Sequence, residues 1–209
     1  MKTPKLLSTR LLWLSLCVTL FGCLGAAQNA VERSEQDPEK AFYRMTDMAT
    51  AEYAKGNFAG AASVADQLLK AAPLWEKNWN YGNAVHAANI VLGRLALRKG
   101  ETDRAKEFLI AAGKTPGSPQ LDTFGPDMIL AKELLKKGET QAVLDYFDLC
   151  AKFWKMENGK LAAWRAAIRA DETPDFGPNL RYFANWGCRT LSVSFPTRTA
   201  SFDRRPFPR

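Results

Sequence analysis

The sequence predicts an all-α protein made of about three repeated helical hairpins and a capping helix. Gly56, Gly100 and Gly138 each follow a lysine and separate two stretches in which apolar residues recur at helical spacing. Two of these turns share the tetrapeptide Lys-Gly-Glu-Thr at positions 38 residues apart. The repetition of one turn between amphipathic segments indicates a single supersecondary unit, formed several times along the chain.

The helix after each turn has its apolar face at the fifth, eighth, ninth and twelfth residues beyond the glycine. In the helix before each turn, we expect the positions eight, seven and three residues before the glycine to face the core. A small residue at the middle position predicts close helix approach. The positions after the three turns are Ala61, Val64, Ala65, Leu68, then Ala105, Phe108, Leu109, Ala112, then Val143, Tyr146, Phe147, Cys150. The positions before the three turns are Met48, Ala49, Tyr53, then Leu92, Gly93, Leu97, then Leu130, Ala131, Leu135.

The turns carry their own chemistry. Glycine just past a helix end adopts the left-handed conformation that closes the last carbonyl groups, and a neighbouring lysine suits the negative end of the helix dipole. Asn57, Thr102 and Thr140 are predicted to cap the helices that follow, because each offers a side-chain oxygen to exposed N–H groups.

These residues together resemble the tetratricopeptide repeat family, whose pattern is a Leu-Gly or Leu-Ala pair, a turn glycine, a small residue five positions later and a closing proline. The second unit follows this pattern best, with Leu92-Gly93, Gly100, Ala105, Leu109, Ala112 and Pro116. The turn glycines are 44 and 38 residues apart, against about 34 in the family. The surplus predicts two loops between units, at 74–83 and 115–127.

The resemblance implies a solenoid whose concave side is lined by the first helix of each unit and binds a helix or extended peptide. Candidate partner-binding positions on that side are Asn89, Arg94 and Asp127. The implied function is a non-catalytic protein–protein interaction scaffold or adaptor of the bacterial cell envelope. The partner is an unidentified protein or peptide.

The envelope location is predicted by residues 1–27, which have the basic start, short apolar run and small residues of a secretory signal peptide. One cleavage site follows Gly25-Ala26-Ala27 and would release a periplasmic protein. The other precedes Cys23, in a stretch that resembles the lipobox of bacterial lipoproteins, and would give a lipidated, membrane-anchored protein. Both remain open.

The remaining boundaries follow from pattern and charge. We expect a linker at 28–40, a repeat domain at 41–173 closed by a helix at 160–170, and an irregular, disordered basic tail at 174–209. Of the formal net charge of +7, +3 lies in residues 1–27 and +5 in 181–209, which leaves the body near −1. The body therefore lacks the excess charge that nucleic-acid binding requires.

The sequence predicts no catalytic residue, cofactor or metal site. His86 is the single histidine and is interpreted as a helix residue at a repeat junction, while Cys150 is expected to be buried with a raised pKa. Glu133 and Glu139 are interpreted as solvated surface. Absence of nucleophile, phosphate-loop and metal-ligand patterns favours a scaffold over an enzyme.

Trp75, Trp79 and Tyr81 are the most concentrated aromatic feature of the first inter-repeat loop. One interpretation is packing over the junction between the first two units. The other is a set of anchors for a partner, because tryptophan and tyrosine are frequent at interfaces. The alternative function, an exported hydrolase or a small-ligand-binding protein, would place its site around this loop.

Overall fold

The computed structural model describes residues 37–180, and this part of the chain contains eight α-helices and no β-strand. The predicted all-α class is confirmed for it. The helices are α1 (Pro38–Ala54), α2 (Phe58–Ala71), α3 (Tyr81–Arg98), α4 (Thr102–Gly113), α5 (Pro119–Phe124), α6 (Ile129–Leu135), α7 (Thr140–Phe153) and α8 (Lys160–Arg169), with 3₁₀ turns at Ala72–Trp75 and Gly177–Leu180.

Several predictions fall outside the described range. They are the signal peptide at 1–27, both cleavage sites, the lipidation of Cys23, most of the linker at 28–40, and the tail from 181 onward. The end of the predicted linker is wrong, because α1 begins at Pro38. Among residues 37–180, no helix combines the length and apolar character needed to cross a membrane.

Three helical hairpins form at the predicted turns: α1 with α2, α3 with α4, and α6 with α7. Gly56, Gly100 and Gly138 have φ angles of +81°, +81° and +82°, which is the left-handed conformation expected of them. At each turn the amide of the next residue donates to the carbonyl five residues earlier, with N–O distances of 3.0, 3.0 and 3.1 Å. The three turns therefore share one hydrogen-bonding pattern.

The prediction for the helix caps is right once and wrong twice. Asn57 caps α2, and its side-chain oxygen accepts a hydrogen bond from the Gly60 amide at 3.0 Å. Thr102 and Thr140 are instead the first residues of α4 and α7, and Glu101 and Glu139 occupy the cap positions without a side-chain cap bond. The cap position is the residue directly after the glycine in all three turns, so each threonine stands one residue too late.

The predicted apolar faces are confirmed with one exception. Ten of the twelve positions after the turns are buried, and Val64 and Phe108 are partly buried. Before the turns, the small residues are buried as expected, and a Cβ on Gly93 would lie 2.3 Å from Leu130 Cδ2. Met48 was wrongly placed in the core, because its side chain is 48% exposed on α1.

The two predicted loops contain more helix than expected. The first begins inside the 3₁₀ turn at Ala72–Trp75 and ends inside α3, whose first residue is Tyr81. The second contains α5, with Ser118 as its cap and Pro119 as its first residue. Asp127 lies between α5 and α6 and not in the first helix of a unit, where the sequence interpretation had placed it.

The hairpins pack side by side. α3 contacts both α1 and α6, so that the first helices lie against one another, while α4 contacts α7 and α2 packs on α3. Two clusters of buried apolar residues result. One joins α1, α2 and α3, and the other joins α4 and α6–α8 with parts of α3.

The closing helix α8 packs against α7, as expected of a capping element. Trp164 and Ile168 are buried there as predicted, Leu161 joins them, and Ala167 is only partly buried. The packed body continues beyond the predicted boundary at 173: Phe176 is buried edge-on against the Trp164 ring, with centroids 4.9 Å apart. Residues 174–180 thus belong to the folded domain.

Candidate functional site

An open cavity of about 630 Å³ lies between α1, α3 and α6, and we call it the α1–α3–α6 groove. It is bounded by the first helices of the three hairpins, by the loop before α6 and by the end of the described chain. Its lining residues are Thr50, Tyr53, Ala54, Gly56, Phe58, Arg94, Leu97, Arg98, Asp127, Ile129, Glu133 and Leu180.

Two of the three candidate residues on the first-helix side line this groove. Arg94 comes from α3, and Asp127 comes from the loop between α5 and α6. Asn89 does not line it, because its side chain is 6% exposed and its Nδ2 donates to the Val85 carbonyl one turn back along α3 at 2.7 Å. Asn89 therefore has no surface to offer a partner.

Arg94 is fixed by a carboxylate and an aromatic ring. Its Nε lies 3.1 Å from both carboxylate oxygens of Glu133, and its Nη2 lies 2.8 Å from Oε1. The guanidinium also stacks 4.1 Å above the ring centroid of Tyr53. The interpretation of Glu133 as solvated surface was wrong, because this half-buried side chain ties α6 to α3.

Arg98 repeats this arrangement one helical turn further along α3. Its guanidinium lies 3.7 Å from the ring centroid of Phe58, at the start of α2. Arg98 forms no salt bridge with any residue in 37–180. The groove therefore presents one arginine paired with Glu133 and a second, exposed arginine that stacks on an aromatic ring and forms no ion pair within 37–180.

Asp127 is the most unusual charged group of the groove, because its residue is only 6% exposed. Oδ1 accepts a hydrogen bond from the Ile129 amide at 2.7 Å, at the start of α6. Burial raises the pKa of this carboxyl to about 7, although the Ile129 hydrogen bond and the nearby Arg94 oppose the shift. The Asp127 carboxyl thus titrates in the physiological pH range.

The loop that carries Asp127 is held from three sides. The Asp127 amide donates to His86 Nε2 at 3.1 Å, and the Asp127 carbonyl accepts from the Tyr146 hydroxyl at 3.1 Å. From the end of the described chain, Asn179 Nδ2 donates to the carbonyls of Phe124 and Pro126, both at 3.0 Å. These bonds fix the backbone on which the carboxyl is mounted.

His86 is buried on α3 and bridges the last turn of α4 and the loop before α6. Because Nε2 accepts from the Asp127 amide, Nδ1 carries the ring proton and donates to the Ala112 carbonyl at 3.1 Å. Burial lowers the pKa of His86 to about 4, against the smaller opposing effect of the Ala112 carbonyl. His86 is thus a helix residue at a junction between units, as expected, and one of its partners is the loop that carries Asp127.

We expect Asp127→Asn to make folding stability more sensitive to acid than it is in the unmodified protein. The pKa of His86 is lowered from 6.5 to about 4, so its contribution to stability is lost as the pH falls through that range. The pKa of Asp127 is raised from 3.8 to about 7, so its contribution is present in acid and lost as the pH rises through that range. The two effects offset each other in the unmodified protein.

Asparagine removes only the Asp127 effect, because its side-chain oxygen still accepts from Ile129. Between about pH 7 and pH 4.5 the variant should lose roughly 3 kcal/mol more stability than the unmodified protein. Urea unfolding at several pH values measures this difference. Equal pH dependence in the two proteins would contradict the assigned environments of His86 and Asp127.

The tryptophan-containing segment after α2 packs on α1. Trp75 stacks on Phe42 with ring centroids 5.6 Å apart, and Trp79 lies against Tyr43 at 5.2 Å. Asn78 Nδ2 secures the segment through Glu39 Oε1 at 2.7 Å and the Tyr43 hydroxyl at 2.9 Å. The segment thus covers the junction of the first hairpin with α3, as the first interpretation expected.

Part of this segment still faces solvent. Trp79 is 49% exposed and Leu74 is 84% exposed, whereas Tyr81 is partly buried against the first core cluster. A shallow cavity of about 430 Å³ is formed by residues 73–78 themselves. Its walls come from one short stretch of chain, in contrast to the groove, whose walls come from three helices.

The remaining candidate groups serve the fold. Cys150 is buried on α7 with a strongly raised pKa, as expected, because burial disfavours the thiolate. Glu139, interpreted from sequence as solvated surface, is instead paired with Lys106 at 2.9 Å and only partly exposed. Within residues 37–180 no group of three histidine, cysteine or acidic side chains is arranged to hold a metal ion.

Comparison with protein-family models, with curated proteins and with solved structures gave no match. The function is therefore argued from the groove and from the arrangement of the hairpins.

Proposed function

We propose that this protein is a non-catalytic scaffold or adaptor that binds a peptide or helix of a partner protein in the α1–α3–α6 groove. The observation that carries the proposal is the groove itself, whose walls are supplied by the first helices of all three hairpins. A surface shared by several repeats fits an extended ligand better than a small compact one.

The proposal includes a solenoid similar to that of tetratricopeptide repeat proteins. Three features support it: identical left-handed turns, small residues at equivalent places on the first helices, and contacts of α1 with α3 and of α3 with α6. The α5 insertion and the 3₁₀ turn after α2 account for the longer spacing between units. In a stack of this kind, the groove corresponds to the concave side.

The chemistry of the groove suits a peptide. Its walls combine apolar and aromatic side chains, such as Leu97, Ile129 and Phe58, with the arginines and carboxylates described above. Apolar walls with a few fixed polar groups give affinity through burial and register through hydrogen bonds. A volume of about 630 Å³ is within the range of sites that bury several side chains.

The test is selection of binding peptides from a displayed library of random dodecapeptides on the purified protein. We expect selected peptides to bind the unmodified protein at least about tenfold more tightly than Ala54→Trp. Ala54 is exposed and lines the groove on α1, so an indole there fills space that a peptide would occupy.

Ala151→Trp is the matched control, because Ala151 is exposed on α7 and lies outside the groove. It should leave peptide affinity unchanged. Selected peptides that bind both tryptophan variants as well as the unmodified protein would overturn the assignment of the groove as the partner site.

The proposed place of action is the cell envelope, on the basis of the signal-like residues 1–27. The intact mass of the mature protein tests this. Acyl mass on a chain that begins at Cys23 would support a membrane-anchored lipoprotein, and a chain that begins near Gln28 would support a periplasmic one. An uncleaved chain would contradict both.

A further inference from the structure

We propose that the partner segment carries an arginine or lysine side chain whose cationic end pairs with Asp127 on the floor of the groove. The inference rests on the proposed function, since it names the chemistry of the occupant of the same groove. Three observations on the Asp127 carboxyl support the inference: it lines the groove, one of its oxygens is available for a ligand, and its backbone is held rigidly.

The Asp127 carboxyl is buried but has bonding capacity left for a ligand. Oδ1 accepts from the Ile129 amide, whereas no residue in 37–180 donates a hydrogen bond to Oδ2. The carboxyl also forms no salt bridge within that range. A carboxylate that is more than nine-tenths buried, lines a cavity and has a free oxygen is an acceptor for a donor from outside.

The neighbouring charged groups leave Asp127 uncompensated. Arg94 favours the Asp127 carboxylate, but its guanidinium is held by three hydrogen bonds to Glu133, whose charge opposes part of that effect. Within residues 37–180, the other titratable side chains near Asp127 are His86 on α3 and Tyr146 on α7, and both are uncharged at neutral pH. The described part of the chain therefore supplies no cation that pairs directly with the ionised Asp127 carboxylate, and an incoming basic side chain would supply one.

Burial already disfavours the carboxylate, and this is consistent with a missing partner. The pKa of Asp127 is raised to about 7, which shows that the Ile129 amide and Arg94 together do not offset desolvation. A cationic side chain would supply the compensation and would favour the ionised form. By linkage, a cation that binds the carboxylate lowers this pKa, so its binding strengthens as the pH rises.

The carboxyl is held in place before the ligand arrives. His86 and Tyr146 bond the backbone of Asp127 itself, and Asn179 bonds the backbone of Phe124 and Pro126 before it and of Met128 after it. A rigid acceptor loses little conformational entropy on binding, so more of the ion-pair energy appears as affinity.

The walls near Asp127 favour a long basic side chain over a small cation. Ile129 and Leu180 provide apolar surface for the methylene stem of lysine or arginine. Arg98, over Phe58, adds a positive charge to the same groove and disfavours a partner with many basic residues. The favoured ligand is therefore an otherwise neutral or acidic segment with one basic anchor.

The test uses a dodecapeptide selected as above whose binding is lost in Ala54→Trp. We expect such peptides to share an arginine or lysine at one position. Replacing that residue with citrulline or norleucine should weaken binding to the unmodified protein about tenfold or more, and weaken binding to Asp127→Asn less than about threefold. The melting temperature of Asp127→Asn verifies that this isosteric variant is folded.

A second measurement needs no variant of the protein. The affinity ratio of the basic peptide to its uncharged analogue should grow as the pH rises from about 5.5 to 8.5, because Asp127 ionises over that range. Groove-binding peptides without a shared basic residue, or an equal loss of affinity in both proteins, would overturn this inference and leave the proposed function intact. Failure to obtain any peptide sensitive to Ala54→Trp would overturn both.

Discussion

Ala105→Glu is expected to abolish the cooperative folding of the domain. Ala105 is fully buried on α4, and its carbonyl is close to Gly93 of α3, where the two helices of the second hairpin meet. A glutamate there would bring an uncompensated charge into a close helix contact. Such a change costs about 3–5 kcal/mol, a large part of the roughly 5–15 kcal/mol that stabilises a typical domain.

Thermal unfolding followed by circular dichroism measures this effect, and Ala151→Glu is its matched control. Ala151 is exposed on α7, so the same substitution there should change the melting temperature by only a few degrees. If Ala105→Glu keeps the melting temperature of the unmodified protein, the assignment of this face of α4 to the core is wrong.

Gly82→Ala is expected to destabilise the protein by about 3 kcal/mol, although it adds a single methyl group. A Cβ at Gly82, in the first turn of α3, would lie 1.8 Å from the Gly117 carbonyl oxygen. The Gly117 backbone cannot move away easily, because a Cβ on Gly117 itself would lie 2.7 Å from Phe153 Cβ. The backbone of the connection between α4 and α5 is thus confined between α3 and α7.

Gly100→Ala separates this steric effect from the general cost of replacing glycine. Gly100 has a φ angle of +81° and nothing within 4 Å of an added Cβ, so only backbone strain of about 1 kcal/mol is expected. Urea unfolding of both variants gives the comparison. A loss at Gly82 no larger than that at Gly100 would contradict the close approach of the two backbones.

The hairpins could be predicted from sequence because their signals are local. A turn glycine, an adjacent lysine and apolar residues at helical spacing all lie within one unit, and the same arrangement recurs three times. Burial of Ala61, Leu109 and Phe147 follows from counting forward from each glycine. Met48 shows the limit of this counting, because it lies at the edge of the buried face of α1.

The groove could not be predicted in the same way, because its contacts join distant parts of the chain. Arg94 and Glu133 are 39 residues apart, and His86 meets the amide of Asp127 across 41 residues. The sequence gives no register between hairpins whose connections differ in length. Asp127 was selected for its position in a repeat pattern, yet its burial depends on a loop, on α3, on α7 and on Asn179.

One sequence feature that relates to the loop carrying Asp127 could not be interpreted from the sequence alone. The single histidine lies within the buried part of α3, and such a residue needs hydrogen-bond partners from elsewhere in the chain. Those partners are the Ala112 carbonyl and the Asp127 amide. The short polar stretch around Asn179 had no helical pattern, and its role in holding the same loop became visible only from packing.

The most direct test of the central claim, that the groove binds the partner segment, is methyl NMR of the protein titrated with a selected peptide. We expect the methyl signals of Leu97, Ile129 and Leu180 to shift, because all three line the groove. The signals of Ile110 and Leu144, on α4 and α7 outside the groove, should stay in place. Shifts confined to Ile110 and Leu144 would contradict the claim and assign binding to the second-helix side.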